Sequence, residues 1–131
     1  MREAKEINVL LVDDETEFAE TLAERLRLRA FNVTVASRAE EALAVLDSGT
    51  RPDVILLDLK MPGLDGLDAL GEIRSRYPEV ATIMLTGHGA TETSMEGMRK
   101  GAFDYLLKPV DIGDLTAKIE QAAGKKTGGR Q

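Results

Sequence analysis

Five short apolar runs, each about one β-strand long, alternate along this chain with five segments of helical period. Residues 7–12 and 53–57 are rich in Val, Ile and Leu without interruption, the pattern of strands covered on both faces. Residues 32–36, 80–85 and 103–107 are similar but shorter. In the first helical segment, Glu15 to Arg29, the residues Phe18, Ala19, Leu22, Ala23 and Leu26 recur every three or four positions, while Glu20, Glu24, Arg25 and Arg27 take the other face. Arg38 to Leu46, Leu64 to Tyr77, Thr91 to Lys100 and Ile112 to Ala123 are the other four helices expected. Gly49 with Pro52, Pro78 and Gly101 close the second, third and fourth, and Ser37 or Asp111 suits a helix N-cap.

Strict alternation of this kind implies right-handed crossovers that place helices on both faces of one parallel sheet. The fold class expected is α/β, a flavodoxin-like doubly wound five-stranded parallel sheet of order 2-1-3-4-5 with five helices. In that order the crevice opens beside strands 1 and 3. The runs end in charge there: Asp13 and Asp14 follow the first, Asp58 the third and Lys108 the fifth. Residues far apart in sequence therefore converge at one rim.

Composition removes other classes. With 131 residues, 43% hydrophobic and 31% charged, there is material for one core and not two. The expected division is an N-terminal tail over 1–6, a domain over 7–123 and a disordered tail or truncated linker over 124–131. A net charge of −6 opposes direct nucleic-acid binding by this domain. No cysteine is present, which excludes disulfides and thiolate metal sites. No apolar stretch approaches the ~20 residues of a membrane span, and the first six residues lack a secretory apolar centre, so a soluble, cytoplasmic protein is expected.

An acid pair at a strand end is, alone, most often a helix N-cap with a solvated neighbour. Three gathered carboxylates are different, because they repel unless a cation joins them or one takes a proton. Oxygen ligands select Mg²⁺ (or Mn²⁺), and Mg²⁺ commonly completes its shell with water and phosphate oxygens. Lys108 supplies an ammonium and Thr86 a hydroxyl in the same layer. Asp58, centrally placed, is suited to in-line attack on phosphorus to give an acyl phosphate.

Four motifs carry a family likeness: Leu-Val-Asp-Asp-Glu at 11–15, Leu-Leu-Asp-Leu-Lys-Met-Pro-Gly-Leu-Asp-Gly at 56–66, Met-Leu-Thr-Gly-His-Gly at 84–89 and Gly-Ala-Phe-Asp-Tyr-Leu-Leu-Lys-Pro at 101–109. Together, in this order, they resemble the response regulator receiver domain of two-component signal transduction, with most similarity to the nitrogen-regulation class of receivers. The resemblance runs from Ile7 to about Ala123.

It implies a phosphorylation-dependent signalling switch, a phosphoprotein in a phosphorelay. Asp58 is the implied acceptor of a phosphoryl group from a sensor histidine kinase or histidine phosphotransfer protein. Asp13, Asp14, Asp58 and the backbone carbonyl of Lys60 are the implied magnesium ligands, and Thr86 and Lys108 the implied partners of the phosphoryl oxygens. The Lys108–Pro109 peptide is expected cis, and Thr86 with Tyr105 forms the expected switch pair. Lys60 and His88, two residues past Asp58 and Thr86, are expected to tune phosphate lifetime. Output would pass through the face of helix 4, strand 5 and helix 5 to a downstream protein or fused effector domain, a dimer through that face also being compatible.

On this reading the chain is no enzyme for outside substrates, although it catalyses its own phosphorylation and dephosphorylation. The alternatives are a Mg²⁺-dependent aspartyl-phosphate phosphohydrolase and a phosphorylation-independent adaptor. The former generally carries its nucleophile on the first strand in an Asp-x-Asp pattern, whereas Asp13 and Asp14 are adjacent here. Kinase choice is expected to lie in helix 1 around Thr16 to Leu22. Gly97, within the fourth helix, fits either a weak, mobile element or close packing, and Gly63 and Gly66 read as turn glycines.

Overall fold

The computed structural model describes residues 6–59, 66–87 and 92–126. Its elements run β1 (Asn8–Val12), α1 (Thr16–Arg27), β2 (Asn32–Ala36), α2 (Ala39–Asp47), β3 (Val54–Asp58), α3 (Gly66–Arg76), β4 (Ala81–Thr86), α4 (Glu92–Arg99), β5 (Asp104–Leu107) and α5 (Ile112–Lys126). The strands form one five-stranded sheet in the order β2-β1-β3-β4-β5, with every adjacent pair parallel. Among the described residues no helix is long and apolar enough to cross a membrane.

Side-chain alternation along the strands builds two cores. Val9 and Leu11 of β1, Val54 and Leu56 of β3, and Ile83 and Leu85 of β4 pack with Leu22 and Leu26 of α1 and Leu115 and Ile119 of α5. Leu10, Val12, Ile55, Leu57 and Met84 point the other way, toward Leu46 of α2 and Leu70 and Ile73 of α3. Central strands are covered on both faces, and all five residues of β3 are buried. The edges differ from the continuous burial expected of them. β2 alternates exposed and covered residues, and Leu107 of β5 is exposed, because an edge strand meets only one neighbour and part of a helix.

Helix ends follow local chemistry. Gly49 and Gly101, at φ +107° and +108°, close α2 and α4 in the left-handed region that glycine enters without strain. Ala30 does the same after α1 at φ +72°, where no glycine marks the stop. Asp111 caps α5, its Oδ2 accepting from the Asp114 N–H at 2.9 Å. Ser37 does not cap α2. Arg38 holds the N-cap position, and Glu41 reaches back instead to accept from the Ser37 N–H and hydroxyl. At the other end, α5 continues to Lys126, so residues 124–126, expected in the tail, form its last turn. Burial of Ala122 and Ala123 keeps that end of the helix on the sheet.

Candidate functional site

Sheet register assembles the site. Val12 pairs with Leu57, so the next residues of the two strands, Asp13 and Asp58, stand side by side. The Asp13 N–H donates to the Ala36 carbonyl at 3.0 Å, prolonging the β1–β2 ladder by one residue and holding the Asp13 backbone. Asp58 pairs with Leu85, and the Leu59 N–H donates to the Leu85 carbonyl at 3.2 Å. Thr86 pairs with Leu107, and the Lys108 N–H donates to the Thr86 carbonyl at 2.8 Å. The carboxyl ends of four adjacent strands thus deliver Asp13, Asp58, Thr86 and Lys108 to one rim.

Asp13 and Asp58 are buried, at 1% and 3% exposure, while Asp14 stands in solvent. The three residues each offer a carboxylate oxygen, all within 4.8 Å of one another. Asp13 divides its two oxygens. Oδ1 accepts from the Glu15 N–H at 2.9 Å, and the buried Oδ2 lies 3.1 Å from the Lys108 ammonium. A buried carboxylate oxygen with an ammonium as its neighbour, beside two more carboxylates, fits a hard divalent cation. Asp13, Asp14 and Asp58 would be its protein ligands.

Lys108 is the counter-charge. Its Nζ lies 3.0 Å from Glu15 Oε1 and 3.5 Å from Asp58 Oδ1, and 4.6 Å from the centroid of the Phe18 ring. Burial lowers the pKa of this ammonium more than any other single effect. Its contacts with Glu15 and Asp13, together with the charges of Asp13 and Asp58, outweigh that and hold it above the ordinary lysine value. It stays protonated throughout the physiological range. The Lys108–Pro109 peptide is cis.

Of the other residues singled out in the sequence, Thr86 is buried at the end of β4 and Tyr105 is half-buried against the α2–α3 core. Lys60, His88 and Gly63 lie outside the described residues. Sequence reasoning missed Glu15 and Phe18 as partners of Lys108. Only their place at the head of a helix following the acid pair hinted at them. It also missed why residue 66 is glycine: a Cβ there would stand 2.6 Å from the Leu59 Cα, immediately after Asp58.

Comparison with known proteins settles the family. Residues 9–120 match the response regulator receiver domain. The chain belongs to that family. This receiver is 36% identical over 114 residues to the regulatory protein AtoC of Escherichia coli, and 39% identical over 114 residues to the DNA-binding transcriptional regulator NtrC of Salmonella typhimurium. Each alignment covers 87% of the receiver but 24% of the relative, so the chain spans about a quarter of the length of these regulators. In three dimensions it resembles a receiver domain protein from Clostridium thermocellum with a TM-score of 0.87 at 36% identity, covering 92% of this chain and 97% of that one. The receiver domain of NtrX from Brucella abortus gives 0.82 at 34% identity, with 88% and 97% covered. The flavodoxin-like order and the likeness to nitrogen-regulation receivers both hold.

Proposed function

We propose that this receiver is a switch whose Asp58 accepts a phosphoryl group from the phosphohistidine of a sensor kinase or phosphotransfer protein. The observation that carries this reading is the gathering of Asp13, Asp14 and Asp58 around a shared space with the Lys108 ammonium in reach. One Asp58 oxygen attacks phosphorus, a P–O bond forms, and the P–N bond to the donor imidazole breaks with its electron pair returning to nitrogen. Burial limits water around the nucleophile, and Lys108 with the Thr86 hydroxyl takes up charge on the phosphoryl oxygens. Asp13, Asp14 and Asp58 hold Mg²⁺ or Mn²⁺, with the Lys60 carbonyl a further ligand implied by the family resemblance. When bound, the ion supplies positive charge that offsets the gathering negative charge.

Phosphorylation draws Thr86 toward Asp58, Tyr105 moves inward after it, and the α4–β5–α5 face changes its population of conformers. That face carries the exposed apolar residues Met95, Met98 and Leu107, at 51%, 39% and 47% exposure, which suits a partner contact that is made and broken. A donor protein docks beside the site, where α1 and the segment after β5 line a groove of about 420 Å³ with Phe18, Leu22, Pro109, Val110 and Ile112. Lys60 and His88 set how quickly water removes the phosphate.

Incubation of the full chain with Mg²⁺ and a small acyl phosphate tests the reading. Stoichiometric labelling of Asp58, lost in Asp58→Asn, is expected. Sustained turnover of phosphomonoesters would assign a phosphohydrolase instead, and no labelling with no response to Mg²⁺ would assign a docking adaptor.

A further inference from the structure

We propose that Glu15, the N-cap of α1, and Phe18, on its first turn, form a resting clamp that competes with Asp58 for the Lys108 ammonium until a phosphoryl group arrives. The proposal rests on the phosphoacceptor reading and concerns the cation of that site. In the resting chain the Lys108 Nζ is nearer to Glu15 Oε1, at 3.0 Å, and to Asp13 Oδ2, at 3.1 Å, than to Asp58 Oδ1, at 3.5 Å. The Phe18 ring, one turn along the same helix, lies 4.6 Å from the ammonium and offers it an electron-rich face.

Glu15 holds a position that normally serves another purpose. It is the N-cap of α1, where a short Ser, Thr, Asp or Asn side chain would accept from the helix. It makes no side-chain cap there. Its carboxylate goes instead to a lysine 93 residues away. The Glu15 side chain is 63% exposed, so the pair is screened by water and exchanges readily. A phosphoryl group on Asp58 presents more negative charge and stronger acceptors than an exposed carboxylate, and it takes the ammonium. Glu15 is therefore a positioning residue. It acts through Lys108 and sets the threshold at which the phosphoryl group wins.

Beryllium fluoride with Mg²⁺, a tetrahedral phosphoryl mimic, serves as the probe. NMR of the Lys108 ε-methylene reads the clamp directly, because the Phe18 ring current moves those protons upfield. On saturation they are expected to return toward ordinary lysine positions. In Glu15→Gln the midpoint for beryllium fluoride is expected to fall about two- to fivefold, the range an exposed ion pair supplies. Glu15→Asp is expected to restore part of the wild-type midpoint. Glu20→Gln removes one charge from the same helix, where Glu20 is exposed, and is expected to leave the midpoint in place.

An unchanged midpoint in Glu15→Gln, an equal shift in Glu20→Gln, or a Lys108 resonance still shifted by Phe18 at saturation would each overturn the clamp. Absence of any saturable response in the wild type is a separate outcome. It would remove the phosphoacceptor reading and the clamp with it.

Discussion

Gly66, Gly71 and Gly97 all open or interrupt helices, yet the space around each one differs, and so should the consequence of adding a methyl group. A Cβ at Gly71 meets nothing within 4 Å among the described residues, so Gly71→Ala is expected to gain about 1 kcal/mol through helix propensity alone. At Gly97 the same atom would stand 2.0 Å from the sulfur of Met84, a fully buried side chain that would have to change rotamer within the core. Gly97→Ala is expected to cost about 1–3 kcal/mol, less than additively with Met84→Ala. Close packing, rather than a need for mobility, accounts for this glycine. Gly66→Ala is expected to cost at least as much, since its clash is with Leu59 backbone, which cannot rotate away. Thr82 is the complementary case. Its hydroxyl is wholly buried on β4 without a hydrogen-bond partner among the described residues, so Thr82→Val is expected to raise stability by about 1 kcal/mol. Denaturant midpoints at constant slope check all four.

Between elements, the ends of α2 and α3 are joined by a clasp on the side of the sheet remote from the acid cluster. Asp47 accepts from the Tyr77 hydroxyl and from Arg76, while the guanidinium groups of Arg51 and Arg76 lie 4.4 Å and 5.5 Å from the centroid of the Tyr77 ring. The hydrogen bond from Tyr77, and then that from Arg76, holds the Asp47 carboxyl below its ordinary value. The same bond to Asp47, aided by burial, holds the Tyr77 phenol above its own. A depressed carboxyl stabilises the fold above its unfolded pKa and loses that contribution as pH falls through the folded value. A raised phenol stabilises it below its unfolded pKa and loses that contribution as pH rises through the folded value. The melting-temperature difference between wild type and Asp47→Asn is therefore expected to be widest near neutrality. It should shrink in acid below about pH 4 and in alkali above about pH 10. A difference that stays constant across pH would show that the clasp contributes packing alone. β5 and α5 are tied similarly by Lys118 and Asp104, 2.6 Å apart and each about one-third exposed, which fixes the strand carrying Tyr105 to the helix beside it.

For the molecule as a whole, three carboxylates at one rim of a chain with a net charge of −6 predict a response to divalent cations. Among the described residues, Lys108 offsets part of the charge at that rim. Millimolar Mg²⁺ is expected to raise the melting temperature and a chelator to reverse the shift, with a gain of about 2.7 kcal/mol if the ion reaches a hundred times its dissociation constant. Calorimetry with and without the ion checks this. Asp14→Asn should diminish the shift while leaving the metal-free fold at least as stable, because Asp14 is exposed and its charge repels its neighbours. Asp13→Asn should both diminish the shift and lower metal-free stability, because Lys108 then loses the nearer of its two buried carboxylate partners.

Strand and helix types, their order and the parallel topology follow from the chain itself. Residue-by-residue hydrophobic period is a local property, and crossover handedness leaves one economical way to wind five such units. The acids at the ends of β1 and β3, with Thr86 and Lys108, were legible for the same reason, since strand ends converge once the order is known. What Lys108 touches was decided only in three dimensions. Glu15, Asp13, Asp58 and Phe18 compete for one ammonium at distances set by strand register and by the start of α1, and no sequence spacing encodes that competition. Glycine at 66 and 97 and the length of α5 were likewise settled by what lies across the interface, because steric fit depends on atoms brought together from remote parts of the chain.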